Sequence, residues 1–181
     1  MNTIALITGA PGSGKSTIGR KVAEHFPKSL LINVDQLREM MVSGLFTPAD
    51  EWSVEGHQQF QRARLTAIYM AQLYANQGVD VVIDDVCLPE TFADHYTSLF
   101  ENPTAKRILL MPTQDVVINR IKKRAGLWDE MLVNYVPGFY TYLEPMPKDG
   151  WIVIDSSEWT IEQTVQEVLS KIEVDRSNTH G

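Results

Sequence analysis

Residues 9–17 read Gly-Ala-Pro-Gly-Ser-Gly-Lys-Ser-Thr and fit the pattern G-x-x-x-x-G-K-[ST]. Their setting constrains the fold as much as their letters do. An apolar run, Ile4-Ala5-Leu6-Ile7, comes before them, and a helix-compatible run over residues 18–26 follows. A strand, a tight glycine loop and a helix start are the parts of a P-loop. Gly9, Gly12 and Gly14 let the backbone wrap closely round a phosphate chain. The loop amides and the positive end of the next helix then point at the anion. Pro11, Ser13 and Thr17 complete the expected nucleotide-binding segment. Lys15 is placed to reach the β- and γ-phosphates of ATP, and the Ser16 hydroxyl to coordinate Mg²⁺.

The strand signal recurs along the chain. Short apolar runs at residues 30–34, 79–83, 107–111 and 151–154 suit buried parallel strands. Helical segments are predicted between them, at residues 35–41, 57–76, 89–100, 114–124 and 129–143, with a break at Pro137-Gly138. Thr160 and Gln163 form a capping box for a closing helix to about Ile172. Strands alternating with helices predict an α/β P-loop NTPase fold: a five-stranded parallel sheet with helices on both faces and a helical lid over about residues 113–143. One domain is expected over residues 1–173, followed by a polar tail over 174–181.

Charge and cysteine content narrow the partners. A formal net charge of −7 speaks against a general electrostatic footprint for nucleic acid, although a local basic pocket stays compatible with it. The single cysteine, Cys87, excludes an internal disulfide and suits a reducing cytoplasm. His25, His57, His95 and His180 are scattered and give no structural-zinc spacing. No run approaches membrane-spanning length, and no signal peptide is read at the N-terminus.

Ligands of such sheets bind beyond the carboxyl ends of the strands, where Asp35, Asp84, Asp85 and Asp155 are all predicted to sit. There is no N-K-x-D guanine-reading motif and no D-x-x-G switch, which disfavours a GTPase. A kinase needs three further parts. The first is a carboxylate to orient the acceptor hydroxyl and take its proton, for which Asp35 is placed. Arg38 shares its helical face and would bind an anionic part of the acceptor; its bland alternative is a surface ion pair. The second is an acidic residue beside Mg²⁺. The run Val81-Val82-Ile83-Asp84-Asp85 resembles a Walker B strand, with Asp84 assigned to the metal side and Asp85 to the acceptor, although little decides between them. The third is cationic charge on the transferring phosphoryl group. Arg120 and Arg124 project from one face of the lid helix and could supply it, while Lys122 and Lys123 read as a solvated face. Trp52, His57 and Phe60 border the acceptor side and could stack on a ring or simply pack. For Tyr135, Phe139, Tyr140 and Tyr142 core contacts are the expectation. Nothing beside Cys87 suggests an activated thiol.

These residues resemble a group of small P-loop kinases: phage-type polynucleotide 5′-hydroxyl kinases, chloramphenicol phosphotransferases, gluconate kinases and zeta-toxin kinases. The resemblance extends to about residue 157. It is closest to the polynucleotide kinase domain through residues 9–17, I-N-x-D-x-x-R at residues 32–38, the strand ending at Asp85, and the basic spacing at residues 120–124. It implies that Asp35 is the general base, that Arg38 binds a phosphate beside the acceptor hydroxyl, that Asp85 helps place the acceptor, and that Arg120 or Arg124 contacts the nucleotide phosphates. The strand Val81–Val86 is, by contrast, more like that of chloramphenicol phosphotransferases. No D-x-D-x-T phosphatase motif is present. The expected function is ATP-dependent transfer of the γ-phosphate to a hydroxyl of a small or nucleotide-like acceptor in the cytoplasm. The alternatives are a polynucleotide 5′-hydroxyl kinase and a nucleotide-dependent binding switch without kinase activity. The resemblance gives no oligomeric state.

Overall fold

The computed structural model describes residues 2–47, 53–87, 93–102, 105–124, 126, 129–145 and 150–178. Strands β1 (Ile4–Thr8), β2 (Ser29–Asn33), β3 (Asp80–Asp84), β4 (Ala105–Leu110) and β5 (Trp151–Ile154) form one sheet in the order β2-β3-β1-β4-β5. Each neighbouring pair is parallel. The strand that feeds the P-loop is therefore central, with two strands on either side.

Side-chain alternation in β1 explains the layers. Ala5 and Ile7 point to the face covered by α1 (Lys15–His25) and by the closing helix, where Val22, Val168 and Ile172 meet them. Ile4 and Leu6 point to the opposite face, against Ala67, Ile68 and Ala71 of the long helix α3 (Val54–Ala75). A strand buried on both faces favours an apolar run; all five of its residues are buried, and the one polar side chain, Thr8, accepts from Cys87 N at 2.8 Å.

Five other helices are present among the described residues. They are α2 (Val34–Glu39), α4 (Thr97–Phe100), α5 (Gln114–Arg124), α6 (Asp129–Leu143) and α7 (Ile161–Asn178). Three expectations are revised. Residues 93–100 form a 3₁₀ turn (Ala93–Tyr96) and a single α-turn, not the end of one regular helix; the expected start at Pro89 and Glu90 lies outside the described residues. The closing helix runs to Asn178, beyond Ile172. Helix α6 passes unbroken through Pro137. Pro137 and Gly138 are exposed, so a backbone carbonyl left without a helical donor can meet water, while Val136, Tyr140 and Leu143 hold the opposite face in the core. The capping box forms reciprocally: Gln163 N donates to Thr160 Oγ1 at 3.2 Å and Thr160 N to Gln163 Oε1 at 2.9 Å. Among the described residues no helix is long and apolar enough to cross a membrane.

Candidate active site

The loop between β1 and α1 curls as its glycines require. Gly12 adopts φ 86° and Gly14 φ 98°, and a Cβ on Gly12 would lie 2.6 Å from Ile121 Cγ1. The lid helix α5 thus rests directly on the loop. Arg120 fixes that contact, its Nη1 donating to the Ser13 carbonyl at 3.1 Å and its Nη2 to the Ser156 carbonyl at 3.0 Å. One guanidinium thereby joins the P-loop, the lid and the loop after β5. Lys15, Ser16 and Thr17 line a cleft of about 980 Å³ that also receives Asp35, Arg38, Asp85, Arg120 and Arg124. Sequence-predicted residues from four separate elements therefore share one cavity.

Asp35 stands in the first turn of α2, whose start is set by Asn33. The Asn33 side chain accepts from Gln36 N at 2.9 Å and, through Nδ2, donates to Asp84 Oδ2 at 2.7 Å. One amide therefore caps α2 and ties it to the end of β3. Asp35 is open to solvent along one side, yet protein surrounds it on the others. Desolvation is the main cause that raises its pKa, Asp85 and Asp84 add to the rise, and Lys15 and Arg38 oppose it.

Arg38 is not the surface ion pair that its sequence context allowed. It is 8 % exposed, donates from Nη1 to the Phe46 carbonyl, and stacks with its guanidinium carbon 4.6 Å from the Phe60 ring centroid. Its Nε is buried without a hydrogen-bond partner among the described residues. Gln59 secures the same segment, accepting from Phe46 N at 2.9 Å and donating to the Gly44 carbonyl at 2.8 Å.

The two aspartates that end β3 have distinct partners. Asp84 is turned to Asn33, and its Oδ1 is buried without a partner among the described residues. Asp85 accepts from Arg64 Nε at 2.6 Å and from the Tyr96 hydroxyl at 3.0 Å; Arg64 Nη2 also donates to the Val86 carbonyl at 3.1 Å. Asp85 thus lines the cleft as a carboxylate already paired with Arg64. Burial, with Asp85 next to it, pushes the Tyr96 phenol well above its usual value. The sequence reading did not single out Arg64. The signal was a basic residue on the helical face of Phe60, Ala67 and Ala71, which is the face α3 buries.

In the lid, Arg124 is clasped through Nε and Nη2 by the Asp129 carboxylate, a pairing that lowers the pKa of Asp129. Arg124 lines the cleft from this clasp, whereas Arg120 is held against carbonyls of the P-loop and β5 loop. Of the aromatic residues, Phe60 has the guanidinium carbons of Arg38 and Arg64 4.6 and 5.3 Å from its ring centroid, and His57 meets His95 edge-on at 5.5 Å. Tyr140 is in the core and donates to the Pro112 carbonyl, Tyr135 is exposed, and Phe139 and Tyr142 line the cleft. Trp52 lies outside the described residues. Cys87 is fully buried, with its thiol pushed up to about 12, chiefly by desolvation.

Comparison with known proteins agrees with this architecture. An uncharacterized protein of Mycobacterium tuberculosis is 29 % identical over 136 residues, which is 68 % of this chain. The chain spans only about a quarter, 26 %, of that relative's length. A sugar kinase from Janibacter sp. superposes with a TM-score of 0.68 at 21 % identity, covering 94 % of each chain. A shikimate kinase from Bacteroides thetaiotaomicron gives 0.66 at 21 %, covering 94 % of this chain and 98 % of its own. The fold is therefore shared with these structures and is an α/β P-loop NTPase fold. The AAA domain family model matches residues 4–130, well over half the chain, and the protein belongs to that family.

Proposed function

We propose that this chain is an ATP-dependent kinase that transfers the γ-phosphate to a hydroxyl of a small or nucleotide-like acceptor, with Asp35 as general base. The observation that carries this reading is the convergence of Lys15, Asp35 and Arg38 on one cleft. The P-loop amides and Lys15 hold the triphosphate. The acceptor oxygen attacks the γ-phosphorus in line, the bond to the departing ADP oxygen breaks, and the hydroxyl proton passes to the Asp35 carboxylate. Arg124 neutralises charge on the transferring group, and Arg120 braces the loop that holds it. The buried, unpartnered Nε of Arg38 favours an acceptor with an anionic group near the reacting hydroxyl.

Ser16 and Asp84 would hold Mg²⁺: the Ser16 hydroxyl opens on the cleft, and the orphaned Asp84 Oδ1 fits a metal-bound water. When bound, the ion supplies charge neutralisation along the triphosphate. Residues 1–173 are read as the single kinase domain, with residues 113–143 as its lid. The cytoplasm, with its ATP, is the compartment that suits it.

The second reading is a polynucleotide 5′-hydroxyl kinase, favoured by Asp35 and Arg38 lining one pocket. ADP release from Mg-ATP across an acceptor panel tests both. Oligonucleotides and nucleoside 3′-monophosphates with free 5′-hydroxyls would stimulate release under the second reading; sugar acids, shikimate or chloramphenicol would do so under the small-acceptor reading alone. Nucleotide binding with no acceptor-stimulated release would sink both and leave a nucleotide-dependent switch.

A further inference from the structure

Helix α2 sends three side chains to the cleft, those of Asp35, Arg38 and Glu39. Successive residues of an α-helix turn by about 100°, which sets Arg38 about 60° to one side of Asp35 and Glu39 about 40° to the other. The carboxylate read as the general base is thus flanked by a cation on one side and by a second carboxylate, its i+4 neighbour, on the other.

Each flanking group has binding capacity left over. Arg38 is 8 % exposed and pinned by the Phe46 carbonyl and the Phe60 ring, yet its Nε has no partner among the described residues. Glu39 is exposed to the cleft, and its side chain makes no hydrogen bond or ion pair among the described residues. The third carboxylate that lines the cleft, Asp85, differs because Arg64 neutralises it. With that pair set aside, Asp35, Glu39 and Arg38 leave two negative charges and one positive at the acceptor end. An anionic group on the acceptor answers Arg38, and a carboxylate matches its single charge where a phosphate dianion would exceed it. Asp35 loses its own charge on taking the hydroxyl proton. Glu39 then remains, and an ammonium on the acceptor is the group that balances it.

Resting on the small-acceptor kinase reading above, we propose that the acceptor is a small zwitterion, a hydroxy amino acid, and that Glu39 selects it by binding its ammonium. The hydroxyl meets Asp35, the carboxylate meets Arg38 and the ammonium meets Glu39. A bond forms between the hydroxyl oxygen and the γ-phosphorus, the bond from that phosphorus to the ADP oxygen breaks, and the hydroxyl proton passes to Asp35. The product is the O-phosphorylated amino acid.

ADP release from Mg-ATP with matched acceptors tests this. Serine is compared with glycerate, which carries a hydroxyl in place of the ammonium, with β-hydroxypropionate, which carries neither, and with ethanolamine, which lacks the carboxylate. Homoserine and γ-hydroxybutyrate repeat the comparison on a longer chain. The amino acid of each set should exceed its counterparts in kcat/KM by at least about tenfold, the scale of one hydrogen bond between charged groups. Glu39→Gln should abolish the preference for the ammonium and Glu39→Lys should turn it toward glycerate, while both variants, altered at an exposed position, melt as wild type does. Equal kcat/KM within each matched set, a preference unchanged in Glu39→Gln, or stimulation confined to acceptors without an ammonium would overturn the proposal and leave the kinase reading standing. ADP release that no acceptor stimulates, in these sets or in the wider panel, would overturn both.

Discussion

Arg64 and Asp85 form a buried ion pair, with Nε 2.6 Å from Oδ2 and side chains only 1 % and 3 % exposed. The Tyr96 hydroxyl completes the carboxylate's coordination. Removing one partner strands the other charge away from water, which costs about 3–5 kcal/mol. Arg64→Ala and Asp85→Ala should therefore each lower the urea midpoint strongly. An apolar pair of similar volume, Arg64→Met with Asp85→Leu, should recover much of the loss. Unchanged midpoints in the single variants would show that the pair does not hold α3 to β3.

Asp35 has a pKa raised mainly by desolvation, then by Asp85, and restrained by Lys15 and Arg38. A general base works only when ionised, so kcat/KM should fall as pH drops through a value above the usual carboxylate range. Arg38→Ala removes a restraining cation, and the acid limb should move to higher pH; a shift to lower pH would contradict the assignment. Because the folded state binds this proton more tightly than the unfolded chain does, the stability it contributes is present at low pH and is lost as pH rises through the folded pKa. Asp35→Asn should consequently melt no lower than wild type at neutral pH, while kcat drops by about 100-fold or more.

Gly12 is held by two constraints at once. Its φ of 86° disfavours a side chain, and a Cβ would lie 2.6 Å from Ile121 Cγ1. Gly12→Ala should push the lid helix off the P-loop and weaken nucleotide binding by at least about tenfold, measured by titration. A companion Ile121→Ala should restore part of the affinity by clearing the contact, leaving the backbone strain.

Cys87 is fully buried and its thiol titrates near 12. A thiolate-specific reagent at pH 8 should label it only after denaturation. Rapid labelling of the native protein would mean that the segment after β3 opens readily.

The fold was legible because the apolar runs and the P-loop carry their own local physics. Strand β1 opens on the apolar run Ile4–Ile7, and Gly9–Thr17 carries the loop pattern that follows it. The site was legible where a residue's place follows from its own position in the chain: Lys15 after the loop glycines and Asp35 after β2 both line the cleft. It was obscure where a role depends on a partner distant in sequence. The neutralisation of Asp85 by Arg64, 21 positions away, cannot be seen in the run that ends β3, nor can the division of Arg120 and Arg124 between carbonyls and a carboxylate. Pro137 misled for the converse reason: a local rule predicted a break, and a buried helix face overrode it.

Asn33 uses the two ends of its amide for two unrelated tasks, accepting from Gln36 N and donating to Asp84. An aspartate could cap the helix but would set like charges against each other, a serine could cap but would fall short of β3, and a leucine could do neither. Few letters of the alphabet satisfy both duties, so this modest residue should prove almost as resistant to replacement as the glycines of the loop.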